Sequence, residues 1–151
     1  MMHFSIESLA RSECPFKLGF SQWISIDQEK VNAFAYLTGD LQRIHTDPEW
    51  AHADGPFSTP VIHGAFLLAL VPVIVGELVV VTPCDYIVNV GIDQARFKHP
   101  APVGSKLRGE GVLQEVAQIN GGVVVTVRIR IISEVMKRLV CRADQRMVFY
   151  Q

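Results

Sequence analysis

Three residues between positions 38 and 64 have types and spacing that could do chemistry together: Asp40, His45 and Gly64. An imidazole titrates near neutral pH and can give or take a proton, and a carboxylate five residues away can hold a water molecule or orient the ring. Gly64 is expected at the start of an apolar helix, where backbone N–H groups lack partners and can bind a developing oxyanion. The trio therefore predicts acid–base chemistry on a water molecule beside a polarised carbonyl group.

Each of these residues also has a purely structural interpretation. Gly39-Asp40 can be only a helix end followed by a turn residue. His45 can be a half-buried histidine whose ring is hydrogen-bonded to Asp47 or to the backbone. We assign Asp47 to capping, because the Pro48-Glu49 pair after it completes the start signal of a helix.

His63 has two interpretations, as a second catalytic group or as a structural residue at the start of the apolar helix, and we favour the structural one. A metal site is not expected, because no two of His45, His52 and His63 have the i, i+4 spacing of an HExxH motif. The sequence indicates no cofactor.

Hydrophobic periodicity predicts the elements that position these residues. Gln28 to Thr38 has the spacing of a helix that ends at Gly39, and a short helix over Pro48 to Ala53 precedes a loop from Asp54 to Pro60. Ala65 to Val81 is apolar on all sides, which is typical of a helix surrounded by protein, and Pro72 should kink it.

Alternating residues then predict a run of strands. A short strand at 20–26 comes early, and the later strands cover 88–98, 106–118, 125–131 and 139–150, with a hairpin turn at 120–122. The sheet needs an apolar cover, and only the 65–81 helix is apolar enough to provide it. The predicted fold is α+β, an antiparallel sheet wrapped around a central apolar helix, with sheet edges that can pair with a second copy.

Composition narrows the function classes. A chain of 151 residues is expected to form one domain over 1–151, and its formal charge of −1 without a basic block argues against nucleic-acid binding. Three widely spaced cysteines argue against disulfides and a structural zinc site, so a cytoplasmic location is expected. The 65–81 segment is interrupted and too short to span a bilayer, so no membrane partner is expected.

Two longer motifs, GDLQRIHTDPEWA and GPFSTPVIHGAFLLAL, together resemble the signature of the MaoC-like dehydratases, the (R)-specific enoyl-CoA hydratases. With VNVGIDQARFKHPAPVG at 88–104, the chain is most similar to their nodulation protein N-like branch. The resemblance implies a hot-dog fold, a homodimer or larger assembly, and reversible hydration of a trans-2-enoyl-CoA to an (R)-3-hydroxyacyl-CoA.

The resemblance also assigns roles. It implies that Asp40 and His45 activate water and that the Gly64 N–H polarises the thioester carbonyl. The family commonly has Asn-Pro where this chain has Gln42-Arg43, so the geometry of the loop depends on that pair. Two rival functions are a hot-dog acyl-CoA thioesterase and a non-catalytic acyl-CoA binding module.

Arg96 belongs to the densest basic cluster of the sequence, with Lys98, Lys106 and Arg108. Such charges usually form a solvated face, and the alternative is a seat for phosphates. We expect substrate to enter along the 89–98 strand, with Arg96 near the phosphates of CoA.

Overall fold

The computed structural model describes residues 1–151 as six helices and eight strands. The helices are α1 (Ile6–Ala10), α2 (Gln28–Thr38), α3 (Arg43–Thr46), α4 (Pro48–Ala53), α5 (Gly64–Ala69) and α6 (Val71–Leu78). The strands are β1 (Met2–Phe4), β2 (Phe16–Phe20), β3 (Ile24–Ser25), β4 (Val79–Val81), β5 (Tyr86–Phe97), β6 (Lys106–Ile119), β7 (Gly122–Ser133) and β8 (Arg138–Tyr150).

The main sheet is antiparallel and has the strand order β2-β6-β7-β8-β5, with β3 also paired to β6. Its centre is the meander β6-β7-β8, in which alternate residues of β7 are buried, as the period-two pattern predicts. β5 pairs with β8 on one side only, so it forms one edge of the sheet.

Helix α6 packs into the concave face of this sheet. Ile74 and Leu78 are fully buried, and two glycines of β6 provide the space for them. A Cβ atom on Gly109 would overlap Cγ2 of Ile74, and one on Gly111 would overlap Cδ1 of Leu78. The close approach of helix and strand explains glycine at both positions. The predicted architecture, an antiparallel sheet wrapped around an apolar helix, is confirmed.

The prediction of one helix over 65–81 is wrong in two respects. The helix divides at Leu70 into α5 and α6, because Pro72 has no N–H to bond to the carbonyl of Leu68 and its ring crowds that group. Beyond Leu78 the three valines are extended and form β4, as suits β-branched residues. None of the helices has the length and apolarity required to cross a membrane.

The early strand was also misplaced. The predicted strand at 20–26 is interrupted, since β2 ends at Phe20 and β3 covers only Ile24–Ser25. β1 was not predicted, and it pairs in parallel with β4, with His3 opposite Val80. Three residues are too few for a recognisable alternation, and their partner lies more than 70 residues away in the sequence.

Candidate active site

Asp40 follows the end of α2. Asp27 caps the start of this helix by accepting a hydrogen bond from the Lys30 N–H, and Gly39 ends it in the left-handed conformation with φ of 79°. The prediction of a glycine stop is confirmed, because only a residue without Cβ adopts this conformation at little cost. Asp40 is therefore the first side chain beyond a rigid helix.

His45 lies in the short helix α3, and its ring is held by the backbone of a distant segment. Nδ1 donates to the Val61 carbonyl oxygen at 2.6 Å, while the Val61 N–H donates to the Ile44 carbonyl at 2.9 Å. A carbonyl can only accept a hydrogen bond, so Nδ1 carries the proton of the neutral ring and Nε2 keeps its lone pair. The two bonds lock the histidine in one tautomer and one orientation.

His63 connects both residues. Its ring stacks on that of His45 with 3.8 Å between centroids, and its Nε2 donates to the backbone carbonyl of Asp40 at 3.0 Å. The side chain is only 1% exposed, and Phe34 packs against it at 5.2 Å between centroids. His63 thus holds the loop that carries Asp40 against the ring of His45, although its side chain does not cap α5.

Gly64 begins α5, so its N–H has no carbonyl partner within that helix. The aromatic ring of Phe97 lies over it. A Cβ atom at position 64 would be 2.9 Å from Cζ of Phe97, closer than side-chain carbons approach. A side chain at position 64 would therefore displace the Phe97 ring of the edge strand, and the Gly64 N–H belongs to the residue directly after His63.

The environment sets the protonation states of the pair. Burial disfavours the imidazolium and lowers the pKa of His45 below its ordinary value. The hydrogen bond from the Gln42 side chain stabilises the carboxylate and lowers the pKa of Asp40. At neutral pH the site therefore presents a carboxylate beside a neutral imidazole, the states that can accept protons from water.

Gln42 and Arg43 make different contacts, one with the Asp40 carboxylate and one outside the dyad. Gln42 Nε2 donates to Oδ1 of Asp40 at 3.0 Å and so orients the carboxylate. Arg43 points to the other side, where its guanidinium pairs with Asp47 at 2.9 Å and stacks over Trp50 at 4.7 Å. The sequence singled out this pair as deciding the geometry of the loop, but it did not predict that Gln42 binds the Asp40 carboxylate.

Asp47 has the capping role predicted for it, accepting the Trp50 N–H at 3.0 Å.

The side chains of Asp40, His45 and His63 each bring one ligand-type atom within 4.8 Å of the others. Two imidazoles and one carboxylate are a donor set that a divalent transition metal can use. This is the one place in the chain where such a cluster of three forms.

Arg96 is not brought to this cluster. It lies opposite Arg142 on β8, whereas the next residue, Phe97, lies opposite the buried Cys141 and reaches Gly64. Successive residues of a strand point to opposite faces, so Arg96 is on the outer face of the sheet. The basic cluster seen in the sequence is also divided, because Arg108 is on β6, with β7 and β8 between it and β5.

Two cavities adjoin Gly64 and Ala65. One, of about 280 Å³, is lined by Gly64, Phe97, Lys98 and their neighbours. The other, of about 530 Å³, is an open groove that follows one stripe of α5 and α6 from Ala65 to Pro72 and is lined on its other side by β5 residues 89–92. Space for a ligand thus exists beside Gly64 and, separately, between the α5–α6 segment and β5.

The sequence matches a known family. Residues 13–135 fit the family described as the MaoC like domain. The chain belongs to the MaoC-like domain family. The 3-hydroxyacyl-thioester dehydratase Z of Mycobacterium tuberculosis is 44% identical over 108 residues, which cover 72% of this chain and 71% of that protein. Nodulation protein N of Rhizobium meliloti is 36% identical over 111 residues, 73% of this chain and 69% of the relative.

Solved structures agree in fold. The unliganded R-hydratase PhaJ1 of Pseudomonas aeruginosa superimposes with a TM-score of 0.75 at 21% identity, over 95% of this chain and 85% of that one. The HadBC complex, a 3R-hydroxyacyl-ACP dehydratase of Mycobacterium tuberculosis, gives a TM-score of 0.70 at 20% identity, over 92% and 98%. The MaoC-like chain described here has the hot-dog fold.

Proposed function

We propose that this protein catalyses the reversible, (R)-specific hydration of a trans-2-enoyl-CoA to an (R)-3-hydroxyacyl-CoA, as a hydro-lyase. The observation that carries the proposal is the arrangement of a carboxylate, Asp40, and a neutral imidazole, His45, which His63 holds together next to Gly64. The names of the relatives, a 3-hydroxyacyl-thioester dehydratase among them, support the same reaction class.

The reaction needs only these groups and water. The dyad of Asp40 and His45 positions a water molecule, whose oxygen bonds to C3 of the enoyl group while the dyad removes one of its protons. Negative charge passes to the thioester oxygen, where the Gly64 N–H stabilises it. C2 then takes a proton from the dyad, so that one water has been added across the double bond.

Crotonyl-CoA provides the direct test, because hydration removes the absorbance of the conjugated enoyl thioester. We expect Asp40→Asn and His45→Gln each to lower kcat by about 10²- to 10⁴-fold, the usual worth of a positioned acid–base group. Arg43→Ala is the matched control, since it changes the same loop without touching the dyad. Equal activity in the wild type and both dyad variants would contradict the proposal.

The same assay separates the rival functions. A thioesterase would release free CoA, which a thiol reagent detects, and an acyl-CoA binding module would bind the ester without turnover.

We propose further that the site works without a metal or cofactor, because the lone pair of His45 Nε2 and the carboxylate of Asp40 suffice to activate water. Activity abolished by EDTA and restored by Zn²⁺ would contradict that part.

We also propose that the protein acts as a homodimer or larger homo-oligomer in the cytoplasm. Strand β5 has a free edge and carries exposed apolar side chains, which are Tyr86, Ile87, Val88, Val90, Ile92 and Phe97. Such an edge is suited to pairing with a second copy.

All three cysteines are free thiols, which fits a reducing compartment such as the cytoplasm. Fractionation of the source cell tests this location.

A further inference from the structure

A buried glutamine lines the groove between the α5–α6 segment and β5. Gln145 is on the inner face of β8, directly opposite Ile92 of β5, and both residues line the groove. Gln145 is only 1% exposed. A buried amide is costly unless both its nitrogen and its oxygen are hydrogen-bonded. The partners of Gln145 therefore show whether the protein satisfies this side chain by itself.

The amide nitrogen of Gln145 is held by the strands around it. Nε2 donates to the backbone carbonyls of Gly91 and Arg146, each at 3.1 Å, and lies 3.4 Å from Oδ1 of Asn89. Backbone carbonyls can only accept a hydrogen bond, so these contacts decide which end of the amide is the nitrogen. The amide is thereby fixed in one orientation.

The amide oxygen of Gln145 has no partner. Oε1 is buried and accepts no hydrogen bond from any group of the protein. No other buried, unpaired side-chain atom belongs to a residue that lines either of the two cavities near Gly64 and Ala65. Buried polar atoms in native proteins are nearly always paired, so an open acceptor at a groove indicates a ligand that brings the donor.

The rest of the groove is suited to a hydrocarbon chain. It begins at Ala65, the residue after Gly64, and follows an apolar stripe of α5 and α6 to Pro72. This stripe is about 10 Å long at the usual helical rise. A thioester whose carbonyl lies at the Gly64 N–H would extend its acyl group along the stripe, with the Gln145 amide across the groove from it.

Assembly through β5 leaves Gln145 in place. Strand β8 lies between β7 and β5, one strand inside the edge that can pair with a second copy. Gln145 lines the groove together with residues of α5 and α6, so it belongs to the interior of one chain. Its open acceptor is therefore separate from the proposed contact between copies.

We propose that Gln145 makes the protein selective for enoyl thioesters whose acyl chain carries a hydrogen-bond donor, such as a hydroxyl group. The inference rests on the proposed function, which supplies the thioester. The hydroxyl group donates to Oε1 of Gln145, and the carbons before it pack on the apolar stripe. A chain with a methyl group at that place displaces water and leaves Oε1 unpaired. Gln145 determines specificity and takes no part in the proton transfers.

Matched enoyl-CoAs with chains of about six to ten carbons, a range set by the length of the stripe, test the selectivity. At each length one chain ends in a hydroxyl group and the other in a methyl group. We expect the wild type to show about 10-fold higher kcat/KM for the hydroxyl chain at the length that reaches Gln145. Gln145→Met keeps the size of the side chain and removes the amide, so it should abolish or reverse this preference.

Met147→Leu is the matched control, because Met147 is buried on the same face of β8 but does not line the groove. This variant should keep the preference. The ratio of the two kcat/KM values is the readout, since a loss of folded protein lowers both values equally. Gln145→Leu gives the same test if Gln145→Met does not fold.

The failures are distinguishable. Equal kcat/KM for the two chains at every length in the wild type overturns the selectivity while the reaction stands, and so does a preference that the Gln145 variants retain. If the wild type hydrates no enoyl-CoA, the proposed function fails, and calorimetric binding of saturated acyl-CoAs with hydroxyl and methyl ends decides the selectivity. About 10-fold tighter binding of the hydroxyl chain that is lost in Gln145→Met supports it, and equal affinity overturns it.

Discussion

Gln42 is the side chain that orients the carboxylate of Asp40 in the candidate site. Its amide orients the Asp40 carboxylate at 3.0 Å, and loss of that bond frees the carboxylate to turn away from water. We expect Gln42→Ala to reduce kcat by about 10-fold, from the net worth of a hydrogen bond to a charged group. Turnover of crotonyl-CoA measures it, with Arg43→Ala as the neighbour that should change kcat less than 2-fold.

The pH profile reports the state of His45. The neutral ring is the active form, and burial places its pKa below the ordinary 6.5, so the ring stays neutral at pH values where a free histidine is already protonated. The pKa of Asp40 is lowered from 3.8 and does not limit activity near neutrality. We expect kcat/KM to stay level as pH falls from 8 to 6.5 and to decline only below that. A decline centred above pH 6.5 would show another group in control.

Among individual residues, the sequence pointed to the side chains that lie together in the candidate site. The spacing of Asp40 and His45, and the glycine at the helix start, identified three residues that the fold places around one buried histidine. The Val61 carbonyl could not be predicted, because any residue has a carbonyl and this one is 16 residues from the ring it orients. A hydrogen-bond partner in the backbone cannot be recognised from the type of its residue.

Among the secondary-structure elements, the contact between α6 and β6 sets the packing of the core. Gly109→Ala places a methyl group against Ile74 in a filled interior, so we expect the free energy of unfolding to fall by about 1–3 kcal/mol. Gly76→Ala is the opposite case. It lies on the exposed side of α6 with open space around it, and helix propensity should raise stability by about 0.5–1 kcal/mol.

Chemical denaturation of the two alanine variants measures both effects, and kcat for crotonyl-CoA should be nearly unchanged in Gly76→Ala. A Gly109→Ala protein as stable as wild type would mean that α6 is free to move away from the sheet. The pair is informative because the same substitution is expected to lower stability at Gly109, which faces α6 from β6, and to raise it at Gly76, within α6.

The elements could be predicted where one periodicity ran long enough. The strands β6, β7 and β8 each alternate over 12 or more residues, and all three were found with small errors at the ends. The apolar run at 65–81 has no change of periodicity to show where α6 ends and β4 begins, because the three valines of β4 continue the apolar sequence of the helix. The division there comes from pairing with β1, a contact that only the folded chain contains.

For the molecule as a whole, the proposed assembly through β5 can be tested at its exposed edge. Val88→Lys places a charge on the exposed edge strand, and we expect the protein to shift from dimer toward monomer. Val135→Lys is the control, since Val135 is a more exposed valine, at 72%, located in the β7–β8 turn. Size-exclusion chromatography with light scattering gives the mass, and an unchanged dimer in Val88→Lys would exclude β5 as the interface.

The position of α6 inside the sheet has a consequence for synthesis. The helix is made before the strands that cover it, and about 70 residues separate Leu78 from the end of β8. At roughly 5–20 residues per second, ribosomes need about 4–15 s to add them. During this interval the most apolar segment of the nascent chain has no cover. We expect it to be held by chaperones until the last strands emerge and close over it.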